Sequence, residues 1–240
     1  MIDGAGLSRA ARPGTLRGRP APFIIPRDVT AISDCILIFV RAPEVGRVKT
    51  RLGAEIGAEA ALRVYRRLAE HAVGEARALG DDIDVRVCFT PVDSGDSVKR
   101  WLGEGARYLP QSDGDLGGRM EAAFDAAFAA GHRRVVIIGS DLPGLTAGLL
   151  RDALELLDRH PAVLGPAWDG GYYLLGLESM IREIFHGIPW STARVFGATI
   201  ERLASLGITP ALLPLLADVD VAADLPAGWR EWVGQGAVTA

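Results

Sequence analysis

The chain has 240 residues, 49% of them apolar and 23% charged, with a net charge of −4 and two cysteines. It is too long for a disulfide-stapled miniprotein and too apolar for a disordered segment, so one compact core is expected. No uninterrupted apolar stretch approaches the roughly 18 residues of a bilayer span, and no membrane-spanning segment is expected.

Residues 1–33 are rich in Arg, Pro and Gly and carry no apolar period, which predicts a mobile N-terminal extension. Five arginines face two aspartates in residues 1–30, a charge of +3, so −7 of the net −4 falls on the rest. An acidic body without a basic stripe argues against nucleic acid as a partner, because duplex binding draws on phosphate neutralisation. From residue 34 to residue 235 a single domain is expected.

The first element of that domain is a short apolar run at 35–40, read as a buried strand from its length and β-branching. Residues 58–79 place Ala61, Tyr65, Leu68, Ala72, Ala76 and Leu79 on one stripe, which predicts a long amphipathic helix. A strand at 84–90, a short helix at 94–102 and a brief strand at 106–109 follow. Leu116, Met120, Phe124 and Phe128 recur every four residues and mark a core-facing helix that ends near Gly131. Residues 134–139 are the most strand-like of all, and a helix over 146–160 begins at Thr146 as N-cap.

This alternation predicts an α/β fold: a single-domain, three-layer Rossmann-like arrangement with a mainly parallel sheet and helices on both faces. Two further strands, 162–165 and 171–177, are separated by a few turn residues and bring in an antiparallel element. Helices at 192–206 and 222–233 flank a last strand at 210–216.

Cys35 and Cys88 lie inside apolar runs, where small buried thiols and a reducing, cytoplasmic setting are expected. His71, His132, His160 and His186 stand at metal-ligand spacing neither from one another nor from a cysteine, which excludes a zinc site built from a local motif. A metal would have to be held by oxygen.

In open α/β sheets, ligands bind beyond the carboxyl ends of the strands. After the first strand come Arg41, Ala42 and Pro43, then Gly46 with Arg47, Lys49 and Arg51, three cations in five residues at a helix start. That combination suits a diphosphate; a solvated basic turn is the competing account. Neither a Walker A loop nor a Gly-x-Gly-x-x-Gly motif is present. After the strongest strand come Ser140 and Asp141, with Pro143 just beyond. A carboxylate there suits Mg²⁺ bridging phosphates, or serves only as a helix cap. Asp218 or Asp220 could face Asp141, and such a pair predicts a cation between the carboxylates or a raised pKa.

The loop from Gln111 to Arg119 offers an amide that could read a base edge, Gly117 and Gly118 for close backbone approach, and an arginine for phosphate. A surface loop capped by aspartates competes equally. Asp169, Gly170, Gly171 and Tyr172, with Trp190 and Ser191, put aromatics and hydroxyls in turns. These suit a sugar or other acceptor, and buried packing of the tryptophans is the alternative.

Taken together, Ala42-Pro43, Gly46, Lys49-Thr50-Arg51-Leu52, Gln111, Leu116-Gly117, Arg119-Met120, Gly139-Ser140-Asp141-Leu142-Pro143, Asp169-Gly170-Gly171-Tyr172 and Asp218-Val219-Asp220 resemble a family of bacterial GT-A-type proteins, the arsenosugar-biosynthesis-type glycosyltransferases. The set is similar, more distantly, to the guanylyltransferases of 2-phospho-lactate and of the molybdenum cofactor. The resemblance covers about residues 35–226 and implies a nucleotide-diphospho-sugar transferase fold. It also implies nucleotide held by the first loop and the Gln111 loop, with Mg²⁺ or Mn²⁺ at Asp141. An Asp-x-Asp pair is reduced here to Ser140-Asp141, so Asp220 is expected to complete the metal site. The first loop also lacks the Gly-Gly-x-Ser/Ala-x-Arg-Met-Gly pattern of many sugar nucleotidyltransferases.

The leading expectation is glycosyl transfer from a nucleoside diphosphate sugar to a small acceptor, with Asp141, Lys49 and Asp169 carrying the chemistry. Lys49 and Arg51, with Arg47 and Arg119, would neutralise the leaving phosphate, and Asp169 would orient the acceptor or take its proton. The alternatives are nucleotidyl transfer from a nucleoside triphosphate to a phosphorylated small molecule, and a nucleotide-binding module without turnover.

Overall fold

The computed structural model describes residues 34–235; the expected N-terminal extension, residues 1–33, lies outside the described residues. Seven strands among them form one sheet: β1 (Asp34–Arg41), β2 (Ile83–Thr90), β3 (Arg107–Pro110), β4 (Arg134–Ile138), β5 (Ala162–Pro166), β6 (Tyr172–Leu177) and β7 (Ala211–Leu212). Their order is β3-β2-β1-β4-β6-β5-β7. All pairs are parallel except those of β6, which runs antiparallel to β4 and β5. The helices are α1 (Thr50–Ile56), α2 (Ala58–Arg77), α3 (Gly95–Leu102), α4 (Leu116–Ala129), α5 (Ala147–Leu156), α6 (Val195–Ser205) and α7 (Trp229–Gln235). None is long and apolar enough to cross a membrane.

The interior strand β1 explains the three layers. Ile36, Ile38 and Val40 of β1 pack on one face with Ala72, Val73 and Ala76 of α2 and Leu150, Ala153 and Leu154 of α5. The alternate residues Cys35 and Leu37 face Met120, Phe124 and Ala127 of α4 and Leu203 of α6. A strand buried on both faces needs apolar residues at every position, which is why β1 reads as an unbroken run. Side-chain caps define two helix starts: Asp115 accepts from the Gly118 N–H at 2.9 Å, and Thr146 from the Leu149 N–H at 3.2 Å.

A third apolar cluster fastens the C-terminal segment. Val219, Leu225 and Val233 pack on Leu52 of α1 and on Ala61, Val64 and Leu68 of α2. Arg67 lies over the rings of Trp229 and Trp232, its guanidinium carbon 4.4 and 4.7 Å from their centroids.

Two late expectations are corrected. The strand expected over 210–216 shrinks to Ala211–Leu212, with an isolated bridge between Ala167 and Leu216, because Pro210 and Pro214 cannot donate to a ladder. The helix expected over 222–233 is a 3-10 turn, Ala222–Asp224, followed by α7. Pro226 and Gly228, the latter at φ 81°, interrupt it. The expected antiparallel hairpin is present, as β5–β6, and β6 lies inside the sheet. Since β1 pairs with β2 on one side and β4 on the other, strand order reverses between β1 and β4, and their following loops open a crevice there.

Candidate active site

That crevice holds a cation between two carboxylates. The Lys49 ammonium donates to Asp141 Oδ2 at 2.8 Å and to Asp220 Oδ1 at 3.2 Å, and Arg51 reaches the other oxygen of Asp220. The lysine side chain is only 5% exposed, against 41% for Asp141 and 27% for Asp220. Burial by itself would lower the pKa of the ammonium, but the two carboxylates outweigh it and hold Lys49 above its ordinary value.

Several backbone contacts fix this geometry. In Asp218-Val219-Asp220 the middle residue is fully buried in the third cluster while its neighbours turn toward the site. The Val219 N–H donates to the Asp141 carbonyl at 3.2 Å, so the two aspartate loops are hydrogen-bonded to each other. Asp224 accepts from the N–H groups of Asp220 and Val221, both at 2.9 Å. Lys49 precedes α1 at φ 45°, ψ 48°, a left-handed conformation that costs a non-glycine residue about 1–3 kcal/mol and persists only where its surroundings hold it. Among the described residues Ser191, at φ 61°, is the other non-glycine with positive φ.

Two clefts meet at Asp141. The first, about 440 Å³, is lined by Arg41, Arg47, Lys49, Arg51, Tyr65, Gln111, Ser140 and Asp220. The second, about 520 Å³, is lined by Asp169, Gly171, Tyr172, Trp190, Ser191 and Asp218. Phe39, Arg51, Leu116 and Asp141 belong to both walls. One cleft is cationic and the other aromatic and acidic, which suits a charged donor and a neutral polar acceptor held side by side.

The remaining residues singled out in the sequence fall as follows. Ala42 is a core residue whose N–H donates to Thr90 at 2.8 Å, and Pro43 and Gly46 form the turn beyond it, Gly46 at φ 73°. Gln111 gives its amide hydrogens to the carbonyls of Cys88, at 2.8 Å, and Val40, at 3.3 Å, so its oxygen is the group that can meet a ligand. A Cβ on Gly117 would sit inside the Trp190 indole, and packing of that ring is what glycine permits there. Arg119 donates to the Gly114 carbonyl at 2.9 Å and lines a neighbouring cleft of about 370 Å³, which shares Phe39 and Gln111 with the first cleft but not Lys49. The Asp169 carboxylate accepts from the Gly171 N–H at 2.8 Å. Gly170, at φ 86°, lies so close to the Ala193 carbonyl that a Cβ would overlap it. The Tyr172 ring meets Trp190 edge-on, centroids 6.5 Å apart, while its hydroxyl is buried beside Thr199.

One contributor was not recognised as a site residue from the sequence. Tyr65 donates to the Arg41 carbonyl at 2.8 Å and accepts from the Arg41 N–H at 2.7 Å, pinning the first loop; burial pushes its phenol up to about 12. It sits on the apolar stripe of α2, and the only signal was a hydroxyl among alanines and leucines. Asp218 stood as an alternative to Asp220, and it faces the second cleft instead. Burial pushes its carboxyl up, a backbone hydrogen bond pulls it down, and the carboxylates of Asp220 and Asp169 push it up again, leaving it above the usual range.

Asp141 and Asp220 fit a hard divalent ion. Their oxygens already converge on one cation position, and Mg²⁺ binds through one or two carboxylates together with phosphate oxygens and water. A second group, Cys35, Asp84 and His132, is buried with ligand atoms within 4.8 Å of one another. There the Arg86 guanidinium bonds Asp84 at 2.7 Å and His132 at 2.6 Å, so a cation is already built in.

Residues 75–192 match a family model described as an uncharacterized protein conserved in bacteria, DUF2064. A presumed nucleotide-diphospho-sugar transferase from Desulfovibrio desulfuricans G20 is similar at 34% identity and a TM-score of 0.77, over 85% of this chain and 94% of that one. Two more remote structures share the fold. The 4-diphosphocytidyl-2C-methyl-D-erythritol synthase of Anaerococcus prevotii DSM 20548 has 11% identity and a TM-score of 0.51, over 81% of this chain and 95% of that one. Glucosyl-3-phosphoglycerate synthase from Mycobacterium tuberculosis, solved with Mn²⁺, UDP and glucosyl-3-phosphoglycerate, has 14% identity and a TM-score of 0.50, over 86% and 79%. No curated protein matches the chain.

Proposed function

The chain belongs to the same family as the Desulfovibrio protein, within the GT-A-like nucleotide-sugar transferase superfamily, and from that premise we propose that it is a metal-dependent glycosyltransferase. Its donor would be a nucleoside diphosphate sugar and its acceptor a small hydroxylated molecule. The observation that carries this is the pair of clefts, one cationic and one aromatic and acidic, that share Asp141 as a wall.

In this mechanism the donor diphosphate lies in the first cleft against Arg41, Arg47, Lys49 and Arg51, with the Gln111 amide oxygen and Ser140 beside the nucleoside. The acceptor lies against Trp190, Tyr172, Gly171 and Ser191, on a loop whose Gly170 packs on the Ala193 carbonyl. Its hydroxyl oxygen bonds to the anomeric carbon as the bond from that carbon to the diphosphate oxygen breaks. The electron pair leaves on the nucleoside diphosphate and the proton passes to the Asp169 carboxylate, which the Gly171 N–H keeps oriented. Charge grows on the diphosphate as that bond breaks, and the fixed cations stabilise it there. Asp141 and Asp220 would hold Mg²⁺ or Mn²⁺, which supplies further charge neutralisation on the phosphate oxygens.

Nucleotidyl transfer is the second reading, favoured by the four cations around one cleft, enough to hold a triphosphate. The two differ in the product released. Incubation with Mn²⁺ and a panel of nucleotide sugars and triphosphates, with candidate acceptors, should release nucleoside diphosphate from a nucleotide sugar. Pyrophosphate release from a triphosphate with a phosphorylated acceptor would replace the first reading by the second. Tight binding without product from any pool would reduce the chain to a binding module.

A further inference from the structure

We propose that the Lys49 ammonium and the divalent ion compete for the same two carboxylates, so that the ion is admitted when Lys49 transfers to the donor's phosphates. The inference rests on the assignment of Asp141 and Asp220 as the metal ligands.

Four observations carry it. The ammonium lies within 3.2 Å of an oxygen of both aspartates, and its side chain is nearly inaccessible, so it fills the position where the two carboxylates converge. The carboxylates would stay in place if it withdrew: Arg51 holds Asp220 from the other side, and the Val219 N–H ties that loop to Asp141. The choice of residue is also specific. Of 26 lysines and arginines in the chain only two, Lys49 and Lys99, are lysines. A lysine ammonium is a compact point charge on a flexible stem and can be exchanged for a metal ion, whereas an arginine fork would lock onto the carboxylates. Finally, Lys49 lines the same cleft as Arg41 and Arg47, so phosphates bound there offer it a second anion.

Two adjacent carboxylates repel each other unless a cation lies between them. Lys49 lowers that repulsion, and thereby the affinity for a free ion; a phosphate that attracts the ammonium restores it. A ligand shifts such an equilibrium only by its differential affinity for the two arrangements, here phosphate for the displaced lysine.

The test is Mn²⁺ binding without nucleotide, followed by the electron paramagnetic resonance signal of free Mn²⁺. Lys49→Met should bind Mn²⁺ at least about tenfold more tightly than the wild-type chain, and Asp141→Asn in the Lys49→Met background should abolish the gain. If Lys49→Met binds no tighter while Asp141→Asn weakens binding to the wild type, the competition is wrong and the metal assignment survives. If Asp141→Asn changes binding in neither background, the metal assignment falls and the competition with it. Should Lys49→Met fail to fold, the wild-type chain still decides. Lys99, about half exposed, is an internal reference for amine acetylation read by peptide mass spectrometry. Saturating Mn²⁺ should raise acetylation of Lys49 relative to Lys99 at least about threefold, and an unchanged ratio overturns the proposal.

Discussion

The sheet carries an ion cluster at each end, and the two are built differently. At the amino ends of the strands, Asp34 and Arg134 are register partners on β1 and β4 and bond at 2.6 and 2.7 Å. Beside them Asp84 and Arg86, both on β2 and both about 5% exposed, join His132 and Arg107. Every one of these residues sits on a strand or next to one, so hydrogen-bond register sets its position. At the carboxyl ends, Lys49, Asp141 and Asp220 sit on loops and Arg51 in the first turn of a short helix. The aspartates there are partly open to two clefts, and both left-handed non-glycine residues line those clefts. The same residue types therefore serve two ends. A cluster closed on itself within the strands secures the fold, while one carried by loops keeps oxygens and cations available for a ligand.

Paired substitutions would break or sharpen that contrast. Asp141→Ala should lower turnover by about 10²–10³-fold or more, the scale of losing an electrostatic transition-state contact, with a smaller loss of stability than at the other end because Lys49 keeps Asp220 as a partner. Asp84→Ala should do the reverse: it strands the buried Arg86 and should cost about 3–5 kcal/mol in denaturant unfolding, while turnover per folded molecule stays unchanged. Loss of turnover in folded Asp84→Ala would mean that the two ends are not separate in function.

Gly170→Ala tests the division between the clefts. The added methyl group meets the Ala193 carbonyl at a position of positive φ, so the 167–171 and 190–196 loops must move apart. The acceptor KM should rise severalfold while the donor KM holds, and steady-state kinetics with each substrate varied would read this. A rise in donor KM alone would reverse the assignment of the clefts.

The smallest effect concerns the closed end. Burial pushes both the Cys35 and Cys88 thiols up to about 12, so the thiolate is scarce at neutral pH and becomes appreciable only as pH rises toward that value. Neither should react with iodoacetamide at pH 8 until the chain unfolds, as mass spectrometry would report. Rapid labelling of Cys35 in the folded chain would show that the amino-end cluster opens.

Much of this was legible beforehand. The strands at 35–40 and 134–139 and the helix containing Phe124 announced themselves by apolar period, and the loops that follow the strands pointed to Lys49, Asp141 and Asp220. Arg119 illustrates the limit: its loop follows a strand like the others, yet β3 lies at the edge of the sheet, and the side chain lines a different cleft. Gly117 looked suited to ligand approach, but the close neighbour it admits is Trp190, from a distant turn. Proline and glycine also broke the late strand and helix more than period alone suggested.

What the sequence by itself determined was the order and type of the elements, because hydrophobic period and cap residues act within a few positions of one another. Only the tertiary structure decided which charges meet. Lys49 reaches Asp141 and Asp220 across 92 and 171 positions of sequence, and Cys35 and His132, unrelated as a local motif, come together with Asp84 around Arg86. Such pairings depend on strand register and on where each loop leaves the sheet, quantities that no local pattern encodes.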